Sequence, residues 1–166
     1  MSLSNSKFIH KLKEIENLEI IESQSDLKRL SKDFYNYSPV LTKILDGCIA
    51  DLVVRPSSNN AVKKVAEICC EFSITLTLRG SGTGNYGQAV PLNKGVVMQM
   101  SLLNKLEEFD PETGFVKVQS GCLMGDLNNQ LEKYGRELRL LPSTWKTATI
   151  GGFVAGGAGG IGSIRW

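Results

Sequence analysis

The sequence predicts an α+β fold, a small parallel βαβ unit followed by the start of a mixed or antiparallel β unit with flanking helices. Three observations predict it. The β-branched run Asp51-Leu-Val-Val-Arg55 leads into a stretch of helical apolar spacing and then into the alternating run Thr75-Leu-Thr-Leu-Arg79. Two short strand-like segments flank Asp110-Pro-Glu-Thr-Gly114, a turn sequence suited to a hairpin. Leu123, Leu127 and Leu131 recur at a spacing that gathers them on one helix face.

Taken in chain order, Phe8, Ile9, Leu12 and Ile15 predict a helix from Asn5 to Glu16. Leu18 to Ile21 is a short apolar piece. A second helical pattern opens at Ser25, with Ser23 or Ser25 as its cap, and fades by Tyr37 before Pro39. Residues 1–50 thus form a helical lead-in to a domain over 51–166. The first strand of that domain ends at Pro56, and Ser57 or Ser58 caps a helix from Asn60 to Phe72 whose Val62, Val65, Ala66, Cys69 and Phe72 share a face. The strand from Thr75 to Arg79 completes the βαβ unit. Such units are nearly always right-handed and present ligand loops at the carboxyl ends of their strands, where Gly80 to Gln88 falls. Gly95 to Met100 is a third strand and Leu106 to Phe109 a fourth. Phe115 to Gln119 is the hairpin partner of that fourth strand, and a helix from Leu123 to Tyr134 stops at Gly135. Glu107 and Glu108 read as a solvated strand end, Asp126 and Glu132 as surface charges.

Composition narrows the classes of function. With 166 residues, 42% hydrophobic and 22% charged, the chain can bury the core of an ordinary domain. A net charge of +2, with Lys and Arg dispersed along the chain, argues against a nucleic-acid partner. No apolar run approaches the ~18 residues of a membrane span, and the start lacks a signal-peptide core, so a cytoplasmic location is expected. Cys48, Cys69, Cys70 and Cys122 lack zinc-site spacing and read as buried reduced thiols. The single histidine, His10, reads as a solvent-facing residue of a surface helix; no metal site is expected.

Two glycine-rich segments carry the chemistry. Arg79-Gly-Ser-Gly-Thr-Gly-Asn-Tyr-Gly-Gln88 follows a strand and can bring backbone N–H groups close to an anion because few Cβ atoms intervene. Thr149 to Ser163 holds seven of the seventeen glycines. Together they point to a large phosphate-bearing ligand. Gly82-Thr-Gly-Asn-Tyr-Gly87 satisfies the dinucleotide pattern GxGxxG, yet Pro91 and Gly95 oppose the helix that pattern must open. A P-loop is excluded because no Gly-Lys-Ser/Thr follows. What remains is a loop without its own helix, binding a diphosphate through backbone N–H groups and the hydroxyls of Ser81 and Thr83.

These residues resemble the FAD-linked oxidases of the vanillyl-alcohol oxidase and p-cresol methylhydroxylase type. Leu52-Val-Val-Arg-Pro56 with Ala61-Val-Lys-Lys-Val65 is similar to the family's opening strand and helix. Arg79-Gly-Ser-Gly-Thr-Gly84 resembles its pyrophosphate loop, and Pro142-Ser-Thr144 with Ala148-Thr-Ile-Gly-Gly152 its later signature. The resemblance covers residues 51 to 165 and implies the FAD-binding fold of p-cresol methylhydroxylase. It also implies a chain that stops early, before the rest of the FAD domain and a substrate-binding cap. An ending in Ser163-Ile-Arg-Trp166 directly after a glycine-rich loop suggests a fragment too, and Met1-Ser2-Leu3 reads as partly an expression scar.

The resemblance assigns roles. Arg79, Gly80, Ser81, Gly82, Thr83, Gly84 and Asn85 would hold the FAD pyrophosphate, with Pro56, Tyr86, Gly87 and Gln88 nearby. Pro142, Ser143, Thr144, Thr147, Ala148, Thr149, Gly151 and Gly152 would line the cofactor's second side over Ile150, and Ala155, Gly159, Gly160, Gly162 and Ser163 would approach the flavin or ribityl. The alternative for Gly151 to Gly162 is a flexible loop. Tyr86 and Trp145 either stack on the cofactor or fill the core. Thr83 stands where some relatives carry a flavin-linking His, so non-covalent FAD is implied. The expected function is the FAD-binding portion of an oxidoreductase acting on a small 2-hydroxy acid, glycolate or D-lactate, with a quinone, a protein or oxygen as electron acceptor. No catalytic residue is assigned, since substrate-binding residues would lie in parts of the family fold beyond this sequence. A reductase of the UDP-N-acetylenolpyruvoylglucosamine type and a non-catalytic module that keeps the fold are the alternatives.

Overall fold

Strands β2 (Leu52–Pro56) and β4 (Val96–Gln99) lie in the middle of a four-stranded sheet ordered β1-β2-β4-β3. Their side chains are buried on both faces, which is why both read as continuous apolar runs. In the computed structural model, which describes residues 6–166, this sheet belongs to the first of two compact units, the second being Leu103–Trp166. Met1-Ser2-Leu3 and Asn5, the first residue of the expected N-terminal helix, lie outside the described residues.

β4 runs parallel to both β2 and β3 (Leu76–Arg79), while β1 (Leu18–Ile21) pairs antiparallel to β2 with Ile20 opposite Val54. The predicted crossover from β2 through α4 (Asn59–Glu71) to β3 is present, with β4 filling the place between the two strands. Alternation sorts the sheet's side chains into two cores. Leu52, Val54, Val96 and Met98 meet Phe8 and Leu12 of α1 (Ser6–Lys13) and Val65 and Cys69 of α4. Val53 and Val97 face the other way, onto Leu27 and Leu30 of α2 (Gln24–Leu30). Helix starts are fixed locally: Ser58 accepts from the Ala61 N–H at 3.1 Å, and Ser23 from the Asp26 N–H at 3.3 Å.

In the second unit β5 (Leu106–Phe109) and β6 (Val116–Val118) form the predicted antiparallel hairpin. Its Leu106, Phe109, Val116 and Val118 pack against Cys122, Leu127 and Leu131, the last two from α5 (Met124–Glu132). Glu107 and Glu108 are both exposed, and Glu107 pairs with Lys117 at 3.4 Å.

Five elements depart from the sequence reading. Leu18–Ile21 is a strand, stabilised by pairing with residues more than thirty positions later. The second helix ends at Leu30, and a 3₁₀ turn, Tyr35–Tyr37, precedes α3 (Pro39–Leu45), which starts on Pro39 under a Ser38 cap. Pro39 marks a stop for the helix before it, but at the first position of a new helix proline loses no hydrogen bond. Ile150–Ala155 forms a helix, α6, despite Gly151 and Gly152, because Thr149 caps it and Ile150 docks into the hairpin core. The thiols also differ. Cys69 and Cys122 are buried, Cys48 is half-buried, and Cys70, one helical step round from Cys69, is exposed. Burial pushes the Cys69 thiol up to about 11. Among the described residues no helix is long and apolar enough to cross a membrane, and no cluster of acidic, Cys or His side chains could hold a metal ion. His10 is exposed beside Glu14.

Candidate cofactor site

β3 delivers the chain through Arg79 into the first glycine-rich loop. Arg79 is only 7% exposed. Its guanidinium donates to the Lys32 carbonyl at 2.7 Å and to the Ser81 carbonyl at 3.3 Å, so the side chain folds back beneath the loop that follows it. Its Nε is buried and has no hydrogen-bond partner among the described residues. Burial lowers the guanidinium's pKa from its ordinary value, and the Asp33 charge offsets part of that.

No helix follows the loop, as expected; the next element is β4. Among the described residues, the backbone N–H groups of Gly80, Ser81, Gly82, Thr83, Gly84 and Asn85 donate to no protein acceptor. Gly82 has φ +71°, and a Cβ there would run into the Arg79 guanidinium, so glycine is required both by the turn and by the cation under it. The loop closes on itself through Gln88, whose Oε1 accepts from the Tyr86 N–H at 3.1 Å. Tyr86 is 76% exposed, which removes the core-filling alternative for that ring. Pro56 is buried at the end of β2.

Residues before position 50 also belong to this site, and sequence reasoning missed them. Lys32, Asp33 and Phe34 each reach a different point of the loop. Besides the Lys32 carbonyl on Arg79, the Asp33 carboxylate accepts from the Gly87 N–H at 2.9 Å and the Phe34 N–H donates to the Gly84 carbonyl at 2.8 Å. A hollow of about 650 Å³ opens beside the loop, lined by Arg29, Lys32, Arg79, Phe34, Tyr37 and Ser81 among others. The only signal in the sequence is a polar, aromatic-rich stretch, Ser31 to Ser38, between two helices.

The second glycine-rich segment uses its backbone differently. Pro142 to Thr147 turn back on themselves, with the Trp145 N–H bonded to the Pro142 carbonyl and the Ala148 N–H to the Thr144 carbonyl. Ser143 and Thr147 are exposed, while Ala148 and Thr149 are buried. Trp145 is half-buried and carries the Lys146 ammonium 5.6 Å from its ring centre. At the start of α6 the Ile150, Gly151 and Gly152 N–H groups are taken by the Cys122 carbonyl, the Ser120 carbonyl and the Thr149 hydroxyl. A Cβ on Gly151 would stand 2.7 Å from the Ser120 carbonyl oxygen, and one on Gly160 or Gly162 would strike the carbonyl of Leu141 or Arg139. Ala155 and Gly159 are exposed, and Ser163 accepts from the Gly160 N–H at 2.7 Å. The tail is bridged to the rest of the second unit through Leu141 and Ile161.

With this geometry in view, comparison with known proteins settles the class. The sequence pattern of the FAD binding domain matches residues 50–166, and the chain belongs to that family. It is 36% identical over 116 residues to D-lactate dehydrogenase of Anaerostipes hadrus, covering 70% of this chain and 24% of that protein. It is also 36% identical over 137 residues to D-2-hydroxyglutarate dehydrogenase of Escherichia coli, covering 78% of this chain and 13% of that protein. The chain thus spans a quarter or less of these relatives. A solved alkyldihydroxyacetonephosphate synthase superposes with TM-score 0.82 at 21% identity, covering 97% of this chain and 31% of that one. p-Cresol methylhydroxylase superposes with TM-score 0.70 at 17% identity over 89% of this chain and 28% of that one. The fold is that of the FAD-binding domain of p-cresol methylhydroxylase.

FAD carries a diphosphate, and the first loop fits one. Six neighbouring N–H donors lack acceptors among the described residues, glycine leaves their backbone open, and a buried guanidinium supplies positive charge from below. The start of α6 fits an anion poorly, because its N–H groups are already taken up by the protein.

Proposed function

We propose that this chain is the FAD-binding portion of a flavin-dependent oxidoreductase that oxidises a small 2-hydroxy acid of the D-lactate, glycolate or D-2-hydroxyglutarate type. The unaccepted N–H groups of residues 80–85 above the buried Arg79 carry the reading. Residues 51–166 form the cofactor domain and residues 1–50 its lead-in. Gly80 to Asn85 hold the pyrophosphate by backbone N–H groups and by the Ser81 and Thr83 hydroxyls, and Arg79 offsets its charge. Pro142 to Gly152 and the tail residues Gly159 to Ser163 contribute shape, carbonyls and hydroxyls, since their N–H groups are largely spent within the protein.

The names of the relatives support the substrate class: besides the two dehydrogenases, the chain is 29% identical over 116 residues to glycolate oxidase subunit GlcD of Bacillus subtilis. FAD when bound supplies a two-electron acceptor for the hydride of the carbinol carbon. The electrons then pass to a quinone, a protein or oxygen. The cofactor is non-covalent, because Thr83 occupies the loop and the sole histidine sits on α1. Free thiols suit a reducing compartment, and we place the protein in the cytoplasm.

The test is titration of the purified chain with FAD, FMN and riboflavin, followed by flavin fluorescence. FAD is expected to bind at least about tenfold more tightly than riboflavin, since only FAD brings a diphosphate joined to adenosine, and tenfold is one good charged hydrogen bond. Equal affinities, or binding of none of the three, overturn the reading.

A further inference from the structure

Three consecutive residues of the lead-in hold the glycine-rich loop at three places. Lys32 anchors Arg79 where the loop begins, Phe34 anchors Gly84 at its middle, and Asp33 anchors Gly87 where it ends. The partners lie 47 and 54 positions apart for the Lys32 and Asp33 contacts, so none of this is local turn geometry. Asp33 is the hub. It is 7% exposed, and its two carboxylate oxygens are each used, one on the Gly87 N–H and one on the Tyr35 N–H, both at 2.9 Å.

A buried carboxylate beside an anion-binding loop is at first sight misplaced, because its charge repels a diphosphate. Two features resolve this. Arg79, buried under Gly82, interacts favourably with the Asp33 charge. Of the loop's N–H groups the carboxylate takes that of Gly87 alone, leaving the donors from Gly80 to Asn85 to other acceptors. A glycine-rich loop has much backbone freedom to lose on binding, and fixing its two ends beforehand removes part of that loss.

We propose that Asp33 is a positioning residue that, by holding the Gly87 N–H with one carboxylate oxygen and the Tyr35 N–H with the other, sets the first loop in its anion-accepting shape before the cofactor arrives. This rests on the FAD reading above for its ligand but not for its geometry.

The experiment compares the wild-type chain with Asp33→Ala, which removes both acceptor oxygens, and Asp33→Asn, which keeps one carbonyl oxygen and removes the charge. Amide hydrogen exchange in the flavin-free proteins reads the loop directly. Asp33→Ala is expected to speed exchange at Gly87 and at Tyr35, which lose their acceptor, while Val53 and Val97 in the sheet keep their protection. FAD affinity is expected to fall roughly tenfold with riboflavin affinity unchanged, and Asp33→Asn to fall between the two. General damage would lower both affinities together. Wild-type protection at Gly87 with wild-type FAD affinity in Asp33→Ala overturns the proposal, and if that variant fails to fold, the same result in Asp33→Asn does so. If Gly87 loses protection but even the wild-type chain binds no FAD, the strap stands and the cofactor reading falls.

Discussion

In the first unit the N–H groups from Gly80 to Asn85 have no acceptor among the described residues, whereas in the second those of Ile150, Gly151 and Gly152 are bonded to Cys122, Ser120 and Thr149. Both segments are rich in glycine, and a sequence reader gives both the same meaning. Their glycines do different physical work. Gly82 keeps a loop open over a buried cation, while Gly151, Gly160 and Gly162 let backbone approach backbone within a packed unit. An anion site needs donors left over after folding, so donor accounting separates a cradle from a close-packed joint where composition does not.

The most direct way to break this contrast is to fill each kind of glycine and ask what is lost. Gly82→Ala places a Cβ against the Arg79 guanidinium at φ +71°, so the cation must leave the bonds it makes to Lys32 and Ser81. FAD affinity is expected to drop by roughly a hundredfold, the equivalent of about 3 kcal/mol, with riboflavin affinity unchanged, and the melting temperature to fall as the buried cation loses its partners. Fluorescence titration beside a thermal melt checks it. FAD affinity within threefold of wild type would mean that the loop is not the diphosphate site.

Gly151→Ala is expected to behave in the opposite sense. Its methyl would sit 2.7 Å from both the Ser120 carbonyl oxygen and the Ser120 Cβ, so α6 must shift away from the segment on which it starts. Overpacking of this kind costs about 1–3 kcal/mol, to be read in urea unfolding at constant m-value. The affinity ratio of FAD to riboflavin should stay at the wild-type value, because no diphosphate donor is touched. A collapse of that ratio without loss of stability would assign Gly151 a place in the anion site and erase the contrast.

How much of this could be read beforehand follows the range of the interactions. β2, α4, β3, the hairpin and α5 announce themselves because their periodicity lies within a dozen residues, and Ser58 and Gly135 punctuate them locally. The family motifs located both glycine segments for the same reason. β1 is four residues long and exists through Val53 to Pro56. α6 contradicts the helix propensity of its own two glycines and is decided by packing against Ser120 and Cys122. Asp33 is an acidic residue whose loop partner arrives 54 positions later, and the polar, aromatic-rich stretch around it does not single it out.

The smallest effect concerns charge. The second segment is held by carbonyls and hydroxyls, among them Ser120, Cys122, Thr149 and Ser163, none of which titrates in the acid range. The first is held partly by ions. Lys32, whose carbonyl receives Arg79, bonds the exposed Asp46 carboxylate at 2.9 Å. That bond holds Asp46 below its ordinary 3.8 and Lys32 above its ordinary 10.5. Since the Asp46 pKa is depressed by folding, its contribution is present above pH 3.8 and is lost as pH falls through the lower folded value. Since the Lys32 pKa is raised, its contribution is complete below pH 10.5 and is lost only as pH rises through the higher folded value. Between these limits the pair is intact. On acidification the Tyr86 and Gly87 amides, the bonded ones at the end of the loop, should lose protection, relative to their intrinsic exchange rates, before the amides of Ile150 to Gly152 do. Added salt at neutral pH should weaken the same pair slightly through screening, again only in the first unit. Simultaneous loosening of both segments with acid would show that their bracing is not divided between ions and neutral groups in the way the hydrogen bonds indicate.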